Sequence, residues 1–333
     1  MLLPDAVTFS KNVFLPITNV CRNQCRYCGF RRDPAHPDAN LMTASEVTKI
    51  LDAGKRAGCT EALFTFGEMP EEHSEFREWI EDIGYSSVID YLIDLCGIAI
   101  RSGLLPHSNP GVMDSRDIRR LKPLNASMGL MLETTAAIPA HEGSAGKIPS
   151  ERIRTIENAG KLRVPFTTGL LIGIGESKED RVQSLSTIAD MHTRYRHIQE
   201  VIIQPFAPKP GTGMADSPEP THHEMMETVS LAREILPDDV AIQVPPNLTG
   251  FYDLIRCGAS DLGGISPYTI DWINPEAKWP QISELAGKLK GIRLRERLPI
   301  YPQYINDRWY ERGSRLADLI EQYADKEGYR DET

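Results

Sequence analysis

The chain has 333 residues, of which 41% are hydrophobic and 25% are charged, and its formal net charge is −10. This composition is typical of a soluble globular protein, and the length allows one barrel or two ordinary domains. The negative charge argues against broad nucleic-acid binding, and because no apolar run reaches about 18 residues, no transmembrane helix is predicted.

Strand-like and helix-like segments alternate along the whole chain. The eight predicted strands are Val13–Thr18, Ala62–Phe66, Leu104–Leu105, Ser127–Leu132, Phe166–Ile172, Val201–Phe206, Val240–Val244 and one within Gly258–Gly264. The predicted helices run from Thr43 to Gly58, Ser87 to Arg101, Pro149 to Gly160, Ser177 to about Tyr195, and onward from Thr221. Thr43, Ser177 and Thr221 each precede an acidic residue by three positions, which is a helix-capping pattern.

Strands that alternate with helices pair in parallel through right-handed crossovers. Eight of them predict a closed (β/α)8 TIM-type barrel, for which about 250 residues are typical. An open doubly wound sheet is the alternative, but no GxGxxG turn follows the first strand. No Gly-, Ser- or Pro-rich linker divides the chain, so we predict one domain over 1–333, with a short N-terminal lead-in, a core at about 7–295 and a helical C-terminal extension at about 296–333.

Three cysteines, Cys21, Cys25 and Cys28, lie close together after the first strand. Three thiols with no obvious fourth suit a four-iron cluster in which one iron keeps an open site. A stripe of buried helical cysteines is disfavoured by the polar residues between them and by the adjacent Gly29. Zinc with His36 as a fourth ligand is another possibility, although structural zinc usually takes two spaced pairs of ligands. A disulfide framework belongs to short secreted chains.

The remaining cysteines, Cys59, Cys96 and Cys257, are far apart in the sequence and are interpreted as reduced packing residues. The N-terminal segment also lacks the apolar run of a signal peptide. The two observations together predict a cytoplasmic protein.

Four polar features follow predicted strands: the cysteine loop, the pair Gly67 and Glu68, the single Glu133, and the glycine-rich turn at 169–176. Active sites of (β/α)8 barrels lie at the C-terminal ends of the strands. The sequence therefore predicts that these four features share one site.

The run CRNQCRYCGF resembles the CxxxCxxC motif of radical S-adenosylmethionine (SAM) enzymes. The later runs FTFGEMPEE, NPGVM, SMGLMLETTA, HEGSAGKIPSERIRTIENAGK, TTGLLIGIGES, QPFAPKPGT and GASDLGGISP are similar to the CofG family of deazaflavin synthase subunits. The resemblance extends from the first strand to about Pro280. The cysteine motif points only to the superfamily, and the later runs together point to the subunit family.

This resemblance implies an ammonia-releasing carbon–nitrogen lyase of coenzyme F(420) biosynthesis. Cys21, Cys25 and Cys28 would ligate a [4Fe-4S] cluster whose fourth iron chelates SAM, and reduction would release methionine and a 5′-deoxyadenosyl radical. The radical would act on 5-amino-5-(4-hydroxybenzyl)-6-(D-ribitylimino)-5,6-dihydrouracil, which closes to 7,8-didemethyl-8-hydroxy-5-deazariboflavin. A partner radical enzyme, CofH, would supply that adduct, and a low-potential donor would supply the electron.

The resemblance also implies contacts to SAM. Gly67 and Glu68 occupy the place of the superfamily's Gly-Gly-Glu motif, although Phe66 replaces its first glycine. Glu133 would bind the sugar hydroxyls or the sulfonium region. Arg152 would pair with the SAM carboxylate, since a guanidinium presents a fixed fork of donors. The structural alternatives are an exposed loop carboxylate at Glu68 and an ordinary surface arginine at Arg152.

The adenine of SAM would lie near the run 169–176, which resembles a GxIxGxxE motif and includes Gly173. Tyr27 could contact the adenine from the cluster loop, and Gln204 to Phe206 would line its pocket. A strand-end bulge at Gly173 and simple loop packing at Tyr27 are the structural alternatives.

Three further residues, His107, His141 and Arg31, could anchor the substrate, although no catalytic acid or base is assigned. The competing functions are another radical SAM enzyme, of biotin-synthase-like or hydrogenase-maturase-like type, and a non-catalytic metal-binding or electron-carrier module. The isolated cysteines give no second cluster pattern, which disfavours the biotin-synthase type. A mere carrier would not need the polar features predicted at the mouth of the barrel.

Overall fold

The computed structural model of the protein describes residues 4–331. The strands within this range are β1 (Ala6–Leu15), β2 (Glu61–Thr65), β3 (Leu105–Asn109), β4 (Ser127–Gly129), β5 (Phe166–Ile172), β6 (Ile198–Pro205), β7 (Ala241–Gln243), β8 (Asp261–Ile265) and β9 (Arg293–Glu296). The helices are α1 (Ala44–Arg56), α2 (Ser74–Asp82), α3 (Val88–Arg101), α4 (Ser115–Leu121), α5 (Pro149–Lys161), α6 (Lys178–Tyr195), α7 (His222–Ile235), α8 (Phe251–Arg256), α9 (Ile282–Lys288) and α10 (Arg315–Tyr323).

Strands β1 to β8 form a closed parallel barrel. Each strand pairs with the next in chain order, and β1 pairs with both β2 and β8 to close the ring. Strand β5 is buried at every residue, as expected for a parallel strand that helices cover. The predicted (β/α)8 TIM-type barrel is therefore confirmed.

Helix starts agree closely with their sequence signals. Thr43, Ser177 and Thr221 each form a reciprocal capping box with the acidic residue three positions later. Three predictions about the strands need correction. The first strand, predicted at Val13–Thr18, runs instead over Ala6–Leu15. The predicted strand Ser127–Leu132 pairs only over Ser127–Gly129, and β9 is a ninth strand that pairs with β1 outside the ring.

The C-terminal extension closes the N-terminal end of the barrel. The Pro299 carbonyl accepts hydrogen bonds from Ser127 Oγ (2.5 Å) and Gln199 Nε2 (3.0 Å), close to where β4 and β6 begin. Buried aromatic and aliphatic side chains of this extension, including Tyr304 and Trp309, form a second apolar cluster with residues of α3 and β3. The predicted helical extension is thus packed on the barrel. The single-domain organisation stays a prediction, which these contacts support.

No helix in the described part of the chain is long and apolar enough to cross a membrane.

Candidate active site

The C-terminal ends of the strands surround a cavity of about 420 Å³. The predicted site residues that line it are Cys21, Cys25, Tyr27, Cys28, Gly67, Glu68, Glu133 and Arg152. The structure therefore brings together the features that follow β1, β2 and β4. Among the residues predicted to hold the cluster or SAM, Gly173 is the one that does not line the cavity.

Hydrogen bonds fasten the cysteine loop to the end of β2. The Arg22 N–H donates to the Glu68 carbonyl (3.0 Å), and the Glu68 N–H donates to Cys21 Sγ (3.2 Å). Inside the loop, the Cys28 N–H donates to the Cys25 carbonyl (3.0 Å) and forms a turn. Hydrogen bonds from backbone N–H groups, rather than a helix, therefore position the cysteine loop.

The other side of the cysteine loop is held by the segment 139–147, which contains two short 3-10 turns. Ser144 Oγ accepts a hydrogen bond from the Gln24 N–H (2.9 Å), and Asn23 Oδ1 accepts one from the Gly146 N–H (2.8 Å). Two segments distant in sequence therefore hold the loop between them.

Gly67 is required by the packing of this loop. A Cβ at this position would lie 1.8 Å from the Val20 carbonyl oxygen and 2.9 Å from Cys21 Cβ. Close packing against the loop therefore accounts for the glycine, although Gly67 also lines the cavity. Its predicted contact with SAM stays a prediction.

We expect Gly67→Ala to lower the iron content after anaerobic reconstitution, because the added methyl group must displace the cysteine loop. Overpacking of this kind costs about 1–3 kcal/mol. Gly287→Ala on α9 is the matched control, since its Cβ would meet no atom within 4 Å. Iron per chain is the measurement, and equal iron content in both variants would contradict the packing argument.

Glu68 is buried and holds the cysteine loop through its carboxylate. Oε1 accepts hydrogen bonds from Arg22 Nε (3.0 Å) and Nη2 (2.9 Å), and Oε2 accepts one from the Val112 N–H (3.1 Å). Burial opposes its charge, but Arg152, Lys147 and these donors outweigh burial and lower the pKa of Glu68. Glu68 is therefore no exposed loop carboxylate.

Glu133 lies at the centre of the polar wall and has the unusual positive φ of 65°. Its carboxylate accepts hydrogen bonds from Tyr27 Oη (2.5 Å) and Lys147 Nζ (2.5 Å), and His141 Nε2 lies 3.0 Å from Oε2. Burial opposes ionisation, but Lys147 and the His141 hydrogen bond hold the pKa of Glu133 well below its usual range. The residue is an anion at neutral pH.

Arg152 is buried between the two carboxylates. Nη1 lies 3.6 Å from Glu68 Oε2, and Nη2 lies 4.0 Å from Glu133 Oε1. Nε donates to the Met131 carbonyl (2.6 Å), and Nη1 donates to the Gly146 carbonyl (2.8 Å). The alternative of an ordinary surface arginine is therefore wrong, and the guanidinium borders the cavity beside two anions.

Tyr27 packs against a small buried apolar cluster beside the cysteine loop. The members of that cluster are Ile138, Ala140, Leu171, Ile174 and Phe206. Leu171 and Phe206 also line the cavity, together with Gln204 and Pro205. This wall is apolar enough to pack against a flat ring, as the predicted adenine contact requires.

Gly173 belongs to a tight turn after β5. Its φ is +95°, and its N–H donates to Glu176 Oε1 (2.9 Å), while the Ile174 N–H donates to Glu176 Oε2 (2.9 Å). The positive φ of this turn explains why a glycine stands here, in agreement with the structural alternative of a strand-end bulge at Gly173. A direct contact between Gly173 and SAM stays a prediction.

Lys147 is the residue that the sequence interpretation missed. It lines the cavity, donates to Glu133 and lies 6.0 Å from the centre of the Tyr27 ring. Burial and Arg152 act against its charge, but Glu133 and neighbouring groups outweigh them and raise the pKa of Lys147. It lies in the run HEGSAGKIPSERIRTIENAGK, just before the start of α5, but the sequence interpretation assigned it no role.

The three proposed substrate residues differ in their placement. His107 and Arg31 line the cavity, whereas His141 does not line it and contacts Glu133 instead. Burial lowers the pKa of His107 to about 4, so its ring is neutral. His107 Nδ1 lies 2.6 Å from Ser127 Oγ.

The floor of the cavity carries charges that no sequence motif indicated. Arg297 donates to Asp261 from Nε (2.7 Å) and Nη2 (2.9 Å) and to Glu200 Oε2 (3.2 Å). Glu61 also lines this floor. Burial raises the pKa of Glu200 to about 8, because Arg297 is already paired with Asp261 and compensates Glu200 only in part.

This pKa predicts a pH-dependent stability. Folded Glu200 keeps its proton to about pH 8, whereas an unfolded glutamate loses it near pH ~4.3. Its stabilising contribution is therefore full at low pH and is lost as the pH rises through this window, by at most about 1.4 kcal/mol per unit. We expect the melting temperature of Glu200→Gln to rise relative to wild type across the window. Exposed Glu78→Gln is the control, and parallel melting curves for all three proteins would contradict the prediction.

Comparison with known proteins identifies the family. The sequence profile of the radical SAM superfamily matches residues 15–188. A protein of Methanococcoides burtonii named 7,8-didemethyl-8-hydroxy-5-deazariboflavin synthase is 59% identical over 328 residues, which cover 98% of this chain and 99% of that protein. One of the same name from Methanopyrus kandleri is 51% identical, covering 97% of this chain and 99% of that protein. The chain belongs to the radical SAM superfamily and, within it, to the deazariboflavin synthase family.

Solved structures of two other proteins share the fold. The FeFe-hydrogenase maturase HydG from Carboxydothermus hydrogenoformans has a TM-score of 0.70 at 18% identity, covering 89% of this chain and 69% of that chain. Methylornithine synthase (PylB) has a TM-score of 0.67 at 19% identity, covering 87% of this chain and 84% of that chain. At these identities the likeness shows the fold alone.

Radical SAM superfamily membership implies a [4Fe-4S] cluster and SAM, and the residues fit both. Cys21, Cys25 and Cys28 are free thiols on one cavity wall. Among residues 4–331, no three His, Cys, Asp or Glu side chains converge as they would around a single metal ion. A four-iron cube binds its thiolates on separate iron atoms. Three thiols that do not converge on one point therefore fit such a cluster better than a single zinc ion. The apolar wall and the adjacent Arg152 suit the adenine and carboxylate of SAM.

Proposed function

We propose that this chain catalyses the radical SAM-dependent closure of 5-amino-5-(4-hydroxybenzyl)-6-(D-ribitylimino)-5,6-dihydrouracil to 7,8-didemethyl-8-hydroxy-5-deazariboflavin. Ammonia, methionine and 5′-deoxyadenosine are the other products. The observation that carries the proposal is one cavity that joins three free cysteines to a buried ionic wall, in a chain 59% identical to a deazariboflavin synthase over nearly its full length. The enzyme is then an ammonia-releasing lyase of coenzyme F(420) biosynthesis.

Cys21, Cys25 and Cys28 would hold the cluster in this proposal. When bound and reduced, the cluster supplies the electron that starts radical chemistry with SAM. Glu68 keeps the loop in place through its hydrogen bonds with Arg22. The other site residues would bind and orient SAM.

Arg152 and Lys147 provide positive charge beside the proposed carboxylate position of SAM, and Glu133 provides negative charge beside the positions of its cationic and hydroxyl groups. Tyr27 contributes to the apolar wall for adenine. Gly67 and Gly173 have no side chains, so we propose that they contact SAM only through their backbone atoms. These assignments are supported by cavity lining for every residue named here except Gly173.

Two partners complete the proposal. A low-potential electron donor must reach the cluster, and a CofH-type enzyme must supply the adduct and could associate with this chain. We also propose a cytoplasmic location, because all six cysteines are free, as expected in a reducing compartment. The net charge of −10 supports the absence of nucleic acid from the partner list.

The test is anaerobic reconstitution followed by incubation with dithionite, SAM and the CofH reaction product. We expect about four irons per chain and deazaflavin fluorescence that grows with 5′-deoxyadenosine. Deoxyadenosine without deazaflavin would move the chain to another radical SAM reaction, of biotin-synthase-like or hydrogenase-maturase-like type. No deoxyadenosine at all from the iron-loaded protein would contradict radical SAM activity.

A further inference from the structure

The interior of the barrel, below the cysteine loop, is unusually polar. Such barrels usually fill their interior with layers of branched apolar side chains. Here the cavity continues inward along a wall that includes Asn12 on β1, His107 and Asn109 on β3, Glu200 on β6 and Gln243 on β7. Buried polar groups are costly unless they are hydrogen-bonded, so this wall indicates a polar ligand.

Glycines on neighbouring strands make room for the three amides. A Cβ at Gly264 would lie 2.1 Å from Asn12 Nδ2, and a Cβ at Gly263 would lie 2.3 Å from Gln243 Nε2. At Gly129, a Cβ would lie 2.1 Å from Asn109 Oδ1. The strands β8 and β4 therefore carry no side chain where β1, β7 and β3 place an amide.

Two of these amides have unused hydrogen-bonding capacity. Asn12 is only 1% exposed, and its Oδ1 has no partner in the described structure. The side chain of Gln243 also makes no hydrogen bond to any residue in 4–331. Buried oxygens without a partner are rare. Because Asn12 also lines the cavity, its amide is available to form a hydrogen bond with a ligand there.

The chemistry of this interior favours a neutral chain of hydroxyl groups. Each hydroxyl donates and accepts, which matches amides and carboxyls on different strands. An anionic ligand is disfavoured, because Glu200 and Asp261 already share the guanidinium of Arg297 and a further carboxyl group, that of Glu61, lines the same floor. Of the aromatic side chains that line the cavity, Phe14 lies two residues beyond Asn12 toward the C-terminal end of β1, and Trp279 lies on the long loop after β8. Surfaces that a flat ring would prefer therefore lie nearer the mouth of the barrel than Asn12 does.

We propose that the barrel interior binds the sugar-alcohol chain of the substrate, with Asn12 and Gln243 as its hydrogen-bonding anchors. The inference rests on the proposed function, since only that reaction supplies a substrate with a ribityl chain. The assignment also orients the substrate. With its sugar-alcohol chain held between β1 and β7, the substrate would place its rings toward the cysteine loop, where the radical chemistry begins.

The test uses the fluorescent product as the probe and needs no turnover. Binding of the ribityl deazaflavin and of its 10-methyl analogue, which lacks the polyol, is measured by fluorescence on the cluster-loaded wild type, Asn12→Leu, Gln243→Leu and a surface control, Gln183→Leu. We expect the wild type and the control to prefer the ribityl compound by about 10- to 100-fold, as one to two hydrogen bonds allow. Each cavity variant should lower this ratio by about 10-fold, as the loss of one hydrogen bond allows.

Equal affinity of the wild type for both compounds, or an unchanged ratio in both cavity variants, would overturn the assignment. Two variants on different strands keep the test decisive if one of them fails to fold, which iron content and circular dichroism reveal. Failure of the proposed function would appear differently, as absence of deazaflavin when the wild type receives the adduct.

Discussion

Replacing Cys25 by alanine should reduce both 5′-deoxyadenosine and deazaflavin formation to background. In this variant two thiolates instead of three would hold the cluster. Among the described residues, Cys21, Cys25 and Cys28 are the only cysteines that line the cavity, so no further cysteine can replace the lost ligand. A loss of about a thousandfold or more, equivalent to about 4 kcal/mol in the barrier, is expected. Product analysis under anaerobic conditions, with iron content measured on the same sample, is the assay.

Cys257→Ala is the matched control, because Cys257 is also a partly buried free cysteine but lies next to α8, away from the cavity. It should keep its iron and both products. If Cys25→Ala retained a wild-type rate, the loop would not be the cluster site and the proposed reaction would lose its basis. Equal losses in the two variants would indicate a general effect of removing a thiol.

The sequence was most informative where a local pattern determines local structure. The capping residues Thr43, Ser177 and Thr221 predicted three helix starts correctly, because a capping box uses only residues within one helical turn. The run Phe166–Ile172 contains no charged residue, and β5 has the same limits. Alternation of such segments was sufficient to predict the barrel and the face that carries the cysteine loop.

Strand limits failed where pairing depends on the neighbouring chain. The run after Gly129 remains apolar, but its regular pairing with β5 is interrupted where the Leu132 N–H donates to Thr168 Oγ1 (3.2 Å). Only an isolated bridge then joins Glu133, which has a positive φ, to Leu170. Strand β9 has the sequence RLRE, which lacks an apolar stretch and gives no strand signal. Its pairing with β1 depends on tertiary contacts, which the periodicity of the sequence does not predict.

The ionic parts of the site could be predicted only in part. Glu68, Glu133 and Arg152 were found because they match family motifs, but their mutual contacts arise from three separate segments. Lys147 lies in a quoted run but was given no role, and Arg297 lies outside all of the quoted runs. Long cationic side chains are usually exposed. Their burial beside carboxylates follows from tertiary folding, so the structure was needed to find them.

Replacing Glu133 by glutamine should weaken SAM binding by about 10- to 100-fold while iron content stays at the wild-type level. Glutamine keeps the shape of the side chain but removes the charge, and a hydrogen bond to a charged group contributes about 1.5–3 kcal/mol. Glu133 is an anion at neutral pH because Lys147 and His141 hold its pKa well below the usual range despite burial. The loss should therefore not vary with pH near neutrality.

Equilibrium dialysis of labelled SAM against the cluster-loaded protein gives the affinity, and Glu142→Gln is the matched control, since Glu142 is an exposed glutamate in the same segment as His141. Glu142→Gln should bind SAM like the wild type. Unchanged affinity in Glu133→Gln with a lower deazaflavin yield would show that Glu133 acts by positioning Lys147 and Tyr27 rather than by contacting SAM. Because the charge and not the shape is removed, a fall in SAM affinity at constant iron content would place the anion beside the bound cofactor.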